Sequence, residues 1–302
     1  MSRTAEELEH DRPNPPRRGL RKGLYLIPSA FTAANIGMGF YSVMASLRGF
    51  QLLAGTTPDI AGATAHFDNA AVAIGWALLF DMLDGRIARL TKTTTEIGIQ
   101  LDSIADVVTF GIAPAILAYV WGYGASLREG SDLHRFAWFL SFLFLMCGAF
   151  RLARFNVQAS RPRILAEGTV KTDKKSFVGL PIPVAGGLIA ALVHFSPAPL
   201  IYFGPERAQI YSGLLMLLVL LLSLMMVSTL RFSSFKTVGT KTRSMRTIIL
   251  VLAVGMLIFL YSQYVLLAIV ITYILHGLLS RVASVFWRRG DSPETKVEVS
   301  RS

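Results

Sequence analysis

The sequence predicts an all-α integral membrane protein, a polytopic bundle of about eight transmembrane helices. Three observations predict it. The 302 residues are 53% hydrophobic and only 16% charged, with a mean hydropathy of +0.51, where a soluble domain carries about 25% charged residues. Apolar runs recur along the chain at lengths near the about 20 residues that a helix needs to cross hydrocarbon. The cations are also sorted. With the amino terminus inside, 26 of the 30 Lys and Arg fall on the inner side, and Arg48, Arg128, Arg135 and Arg207 are the four outside, the asymmetry of a protein inserted in a cell membrane.

Taken in order, residues 1–24 form a basic arm containing RPNPPRRGLRKG. It lacks the apolar core of a cleavable signal, and it is expected to be a disordered cytoplasmic segment. Apolar spans follow at 28–48, 69–90, 98–122, 133–156, 180–196, 208–229, 246–264 and 265–286. The fifth is short and opens with Pro181 and Pro183, which a helix tolerates at its start because the first N–H groups have no intrahelical partner. The last two are nearly continuous and need a tight turn around Ser262–Tyr264. The tail GDSPETKVEVSRS is polar. The inner side then holds both termini, the 91–97 turn and the 157–179 and 230–245 loops.

The net charge of +11 does not point to nucleic acid. The cations lie in short segments between apolar runs, where they suit anionic lipid. One cysteine, Cys147, excludes an intrachain disulfide. The five histidines, His10, His66, His134, His194 and His276, are scattered singly and offer no zinc-type spacing.

The stretch DMLDGRIARLTKTTTEIGIQLDSIAD carries four aspartates between two spans. Asp81 and Asp84 are spaced i, i+3, and Asp102 and Asp106 i, i+4, so each pair shares a helix face. The link TKTTTEI is short, which makes the two helices antiparallel neighbours. Folding that hairpin gathers four carboxylates within one or two turns of the cytoplasmic surface. Unpaired, they would repel one another at a depth where charge is costly. Two divalent cations would remove the penalty, and an all-oxygen acidic site suits Mg²⁺ or Mn²⁺ and also admits Ca²⁺. Gly85, Ala88 and Gly98 leave a notch beside the carboxylates, with Arg89 at its end to pair with phosphate oxygens.

Asp81, Asp84, Gly85, Ala88 and Arg89, then eight residues, then Gly98, Asp102 and Asp106, fit D-x-x-D-G-x-x-A-R followed by G-x-x-x-D-x-x-x-D. This resembles the signature of the CDP-alcohol phosphatidyltransferases. IPSAFTAANIGMGF, LDSIADVVTFGIAPA, CGAFRLARFNV and FVGLPIPVAGG look like the bacterial and archaeal membrane-embedded phosphatidylserine synthases of that family. The likeness runs from about residue 24 to 195, with departures at Ser29, where the family often has Asn, and Gln100, where it often has Glu.

The resemblance implies a six-helix catalytic core, here 25–229, followed by two additional helices at 230–286 and a cytoplasmic tail at 287–302. It implies transfer of the phosphatidyl group of CDP-diacylglycerol to L-serine with release of CMP, by a homodimer whose site opens to the cytoplasm. Asp81, Asp84 and Asp102 would hold one divalent cation, and Asp81, Asp102 and Asp106 the second. Asp106 would also take the proton from the attacking hydroxyl. Gly85, Ala88, Arg89, Thr95 and Gly98 would line the CDP site, although a polar turn residue such as Thr95 needs no function. Arg151 and Arg154, at the inner end of the fourth span, suit either anchoring at the membrane surface or binding of the lipid phosphate or the serine carboxylate. Glycerol phosphate, inositol phosphate and choline remain alternative acceptors. A divalent-ion transporter is a more distant reading, because the acidic cluster lies at one membrane face and not at midplane.

Overall fold

A computed structural model describes residues 18–91, 96–160, 176–228, 231–233 and 245–287, with side chains described over most of 30–279. Seven helices dominate these residues. They are α1 (Arg18–Leu53), α2 (Ile60–Thr91), α3 (beginning as Glu96–Asp106 and continuing to Ser126), α4 (Asp132–Ser160), α5 (Ile182–Phe195), α6 (Pro205–Val227) and α7 (Met245–Trp287). Four spans are long and apolar enough to cross a membrane: Ile97–Ser126, Asp132–Val157, Pro205–Val227 and Leu260–Gly277. The protein is a multi-pass membrane protein. Its outward side chains fit that solvent, since Phe40, Trp76, Trp138, Phe142 and Leu214 are exposed while Phe110, Leu117, Phe144 and Ile189 fill the centre. With lipid outside, close packing and not water exclusion holds the helices together, and small residues at the seams allow it.

α1 and α2 form the most extensive helix pair. The buried face of α1 is a stripe of small and polar residues, Thr32, Asn35, Gly39, Ser42 and Ser46, at alternating spacings of three and four. α3 is not uniform. A π-helical stretch, Val107–Ile112, follows Asp106 directly, and a second spans Ala118–Tyr123. Pro114 stands just after the first. It has no N–H, so the carbonyl of Phe110 loses its regular partner. α5 covers that carbonyl with Gly186, where a Cβ would approach the Phe110 oxygen to 2.8 Å.

α5 begins at Ile182, two residues later than the span predicted from 180, because Pro181 caps it in an extended conformation (φ −59°, ψ 134°). Before it, Gly179 adopts φ +83° and passes close to the carbonyl of Met226, where Leu180 N–H donates to Met225 O at 3.0 Å. Two short strands that the sequence did not predict, β1 (Ser176–Val178) and β2 (Arg231–Ser233), pair antiparallel here. They join two loops expected to be separate.

The seventh and eighth predicted spans form one helical element broken at Tyr261 (φ −137°, ψ 46°), one residue before the expected turn. A straight helix of 43 residues would be about 65 Å long, roughly twice the hydrocarbon thickness. The break is held against the end of α5. His194 Nδ1 lies 2.5 Å from Asp68 Oδ1 of α2, and His194 Nε2 lies 2.9 Å from Ser262 Oγ of α7. Tyr264 meets Phe195 edge to face. Further along, Tyr273 faces Arg151 of α4. The segment after the break therefore runs back along α5 toward the acidic end of the bundle. Residues 18–24, expected to belong to a disordered arm over 1–24, are helical and form the first turns of α1; the rest of the arm and the tail after 287 lie outside the described residues.

Candidate active site

α2 and α3 present their carboxylates to one another as an antiparallel pair should. Asp81, Asp102 and Asp106 each offer one carboxylate oxygen, and these oxygens lie within 4.8 Å of one another. Asp84 is the most enclosed of the four, with 7% of its surface exposed. It lies within electrostatic range of Asp81 and Asp102, and its Oδ2 accepts a hydrogen bond from Thr32 Oγ1 of α1. The hydroxyl holds Asp84 in one orientation and leaves its second oxygen for other ligands.

Asp106 carries a buried Oδ1 with no partner among the described residues. A buried carboxylate oxygen without a donor or a cation is unstable. Arg151, 8% exposed, faces Asp106 from α4, but among the described residues one guanidinium cannot offset four carboxylates. The donor set is all oxygen, converging and in charge excess, and it fits a hard divalent cation.

The remaining predicted positions fall around this cluster. Gly85 is exposed on α2, one residue beyond Asp84, and Gly98 is half-buried near the start of α3. Ala88 and Arg89 lie in the last turns of α2 with their side chains outside the described residues, and Thr95 lies outside them altogether. Arg151 is buried at the site, and its Nε has no partner among the described residues. Arg154 is half-buried, and its Nη1 donates to Val227 O at 3.2 Å, which satisfies a carbonyl at the end of α6. Asn156 Nδ2 donates to Ser103 Oγ at 2.9 Å, tying α4 to the face of α3 between Asp102 and Asp106.

Sequence reasoning missed the contribution of α1. Thr32 adds α1 to the two helices that carry the carboxylates. Its signal was present: Thr32, Asn35, Ser42 and Ser46 are polar positions in a mostly apolar helix, where a polar group is rarely placed without use. It also missed Tyr273, which stands far along the chain, beside Arg151.

The family model for CDP-alcohol phosphatidyltransferase matches residues 25–202, which include every helix that supplies a carboxylate, together with α1, α4 and α5. A curated relative from Helicobacter pylori, named CDP-diacylglycerol–serine O-phosphatidyltransferase, is 32% identical over 256 residues, covering 85% of this chain and 91% of its own. Relatives with the same name from Saccharomyces cerevisiae (35% identical, 54% of this chain and 51% of the relative) and Methanocaldococcus jannaschii (37% identical, 52% and 65%) match over about half of the chain. The match spans the acidic hairpin and most of the bundle, and the chain belongs to the CDP-alcohol phosphatidyltransferase family, membrane enzymes that move a phosphatidyl-type group from a CDP-linked alcohol to a second alcohol.

Proposed function

We propose that this chain transfers the phosphatidyl group of CDP-diacylglycerol to L-serine, producing phosphatidylserine and CMP. The observation that carries the chemistry is the convergence of Asp81, Asp102 and Asp106. The names of the relatives support serine as the acceptor. In this reading Asp106 accepts the proton of the serine hydroxyl, which is too weak a nucleophile at neutral pH without a base in reach. The serine oxygen forms a bond to the lipid-linked phosphorus as the bond to CMP breaks, and the electron pair leaves on the CMP phosphate. Two divalent cations, Mg²⁺ or Mn²⁺, supply charge neutralisation of the pyrophosphate when bound by Asp81, Asp84 and Asp102 and by Asp81, Asp102 and Asp106.

The chain's other residues bind and orient. Gly85, Ala88, Arg89, Thr95 and Gly98 form the CDP subsite, where absent side chains admit the nucleotide and a guanidinium meets phosphate. Thr32 fixes Asp84. Arg151, buried with an unpartnered Nε, receives an anionic group, the lipid phosphate or the serine carboxylate. The homodimer rests on the family resemblance alone.

The test is purified protein with CDP-diacylglycerol and a panel of labelled serine, glycerol phosphate, inositol phosphate and choline. Serine is expected to give the labelled lipid, and label in another alcohol's lipid with none from serine would replace the acceptor.

The site opens to the cytoplasm, and both termini lie on that side. The distribution of 26 inner to four outer cations motivates this orientation. A reporter fused after Ser302 is expected to read cytoplasm, and a tag between residues 123 and 132 is expected to be reachable from outside. An external carboxy terminus would reverse or remove one span, the break at Tyr261 first.

A further inference from the structure

We infer that Asn35 is a further binding residue of the transfer site and contacts the acceptor alcohol. The inference deepens the reading above and rests on it. Asn35 lies on α1 with 1% of its surface exposed. Both polar atoms of its side chain, Oδ1 and Nδ2, are buried without a partner among the described residues. A primary amide with nothing to bond is expensive to bury, because it forfeits its hydrogen bonds to water. Such a group persists where a ligand supplies the partners.

Its position says which ligand. Asn35 follows Thr32 by one turn on the same face, and Thr32 is bonded to Asp84. Its carbonyl accepts from Thr109 Oγ1 at 3.2 Å, and Thr109 lies one turn beyond Asp106 on α3. Asn35 is therefore abreast of the deep end of the carboxylate cluster. The nucleotide notch of Gly85 and Arg89 lies at the opposite, shallow end. Three buried groups with unpartnered polar atoms are thereby associated with the deep end: Asp106 Oδ1, Arg151 Nε and the Asn35 amide. They offer a base, a cation and a neutral group that both donates and accepts. That set is complementary to a small zwitterionic alcohol. The hydroxyl goes to Asp106, the carboxylate to Arg151, and the ammonium to the amide oxygen of Asn35.

The test is Asn35→Leu, which is close in volume and removes both polar atoms. Replacing an unsatisfied polar group by an apolar one of similar shape is neutral or stabilising, so the melting temperature of the detergent-solubilised variant is expected to hold or rise. The KM for serine is expected to rise about tenfold to a hundredfold, the loss of one or two hydrogen bonds to a charged ligand. Affinity for CDP-diacylglycerol is expected to stay within about twofold, the change of an unlinked site. An unchanged serine KM overturns the inference. So does an equal loss of CDP-diacylglycerol affinity, which would place Asn35 on the donor. A lower melting temperature would make its role structural, and Asn35→Ser, smaller and still polar, then decides: a serine KM near wild type in that folded variant also overturns it. Failure of the serine reading is separate. It appears in the wild type as turnover of another alcohol, whose KM then takes the place of serine's in the same comparison.

Discussion

Asp106→Asn is expected to lower the rate of CMP release by about 10²–10⁴-fold, the usual contribution of a positioned general base. The substitution preserves size and one oxygen donor, and it removes the ability to accept a proton at neutral pH. Three features motivate that role: Asp106 lies one turn further into α3 than Asp102, its Oδ1 has no partner among the described residues, and Arg151 faces it. CDP-diacylglycerol binding survives better than turnover, because Asp81, Asp84 and Asp102 are untouched. The measurement is CDP-lipid affinity beside CMP release at one fixed metal concentration. Near-wild-type turnover would assign the base elsewhere, and a collapse of nucleotide affinity would make Asp106 chiefly a ligand.

Removal of divalent cations has the other large effect. Exhaustive EDTA treatment is expected to abolish turnover, and Mg²⁺ or Mn²⁺ to restore it. Four clustered carboxylates with one facing guanidinium among the described residues motivate this, because such a site would repel the pyrophosphate until cations neutralise it. On the two-cation reading, Asp81→Asn is expected to touch both cation positions. Its loss of CDP-diacylglycerol affinity exceeds the about 10–100-fold that follows even from disturbing an outer-shell partner of a metal. A titration of lipid affinity against metal concentration separates the two effects: the variant needs more metal for the same binding. Full activity in the chelated wild type, or unchanged metal dependence in Asp81→Asn, contradicts the two-cation reading.

The acidic hairpin was legible because its information is local. Two pairs of aspartates at helical spacing, a short polar link and small residues between them define an antiparallel helix pair before any tertiary contact is known. The apolar runs were legible for the same reason. The features that escaped depend on contacts between distant segments or on small departures from helical geometry. Thr32 bonds Asp84 across 52 positions of sequence, and hydropathy alone does not reveal such a partner. The π-helical stretch after Asp106 lies just before Pro114, and a proline that removes one regular helical hydrogen bond leaves the apolar run of the span unbroken. β1 and β2 are three residues each, too short for a periodic signal. The break at Tyr261 was expected within one residue, because the length of the apolar run demanded it even though no proline or glycine marks it.

The most direct test of the account is a product balance. Purified protein in detergent or vesicles receives CDP-diacylglycerol, L-serine and Mg²⁺ or Mn²⁺, and CMP and phosphatidylserine are quantified together over time. The account predicts equimolar appearance of the two products, dependent on all three additions, and its loss in Asp106→Asn. Release of CMP without phosphatidylserine, or phosphatidylserine formed at full rate after the cations have been stripped, would contradict it.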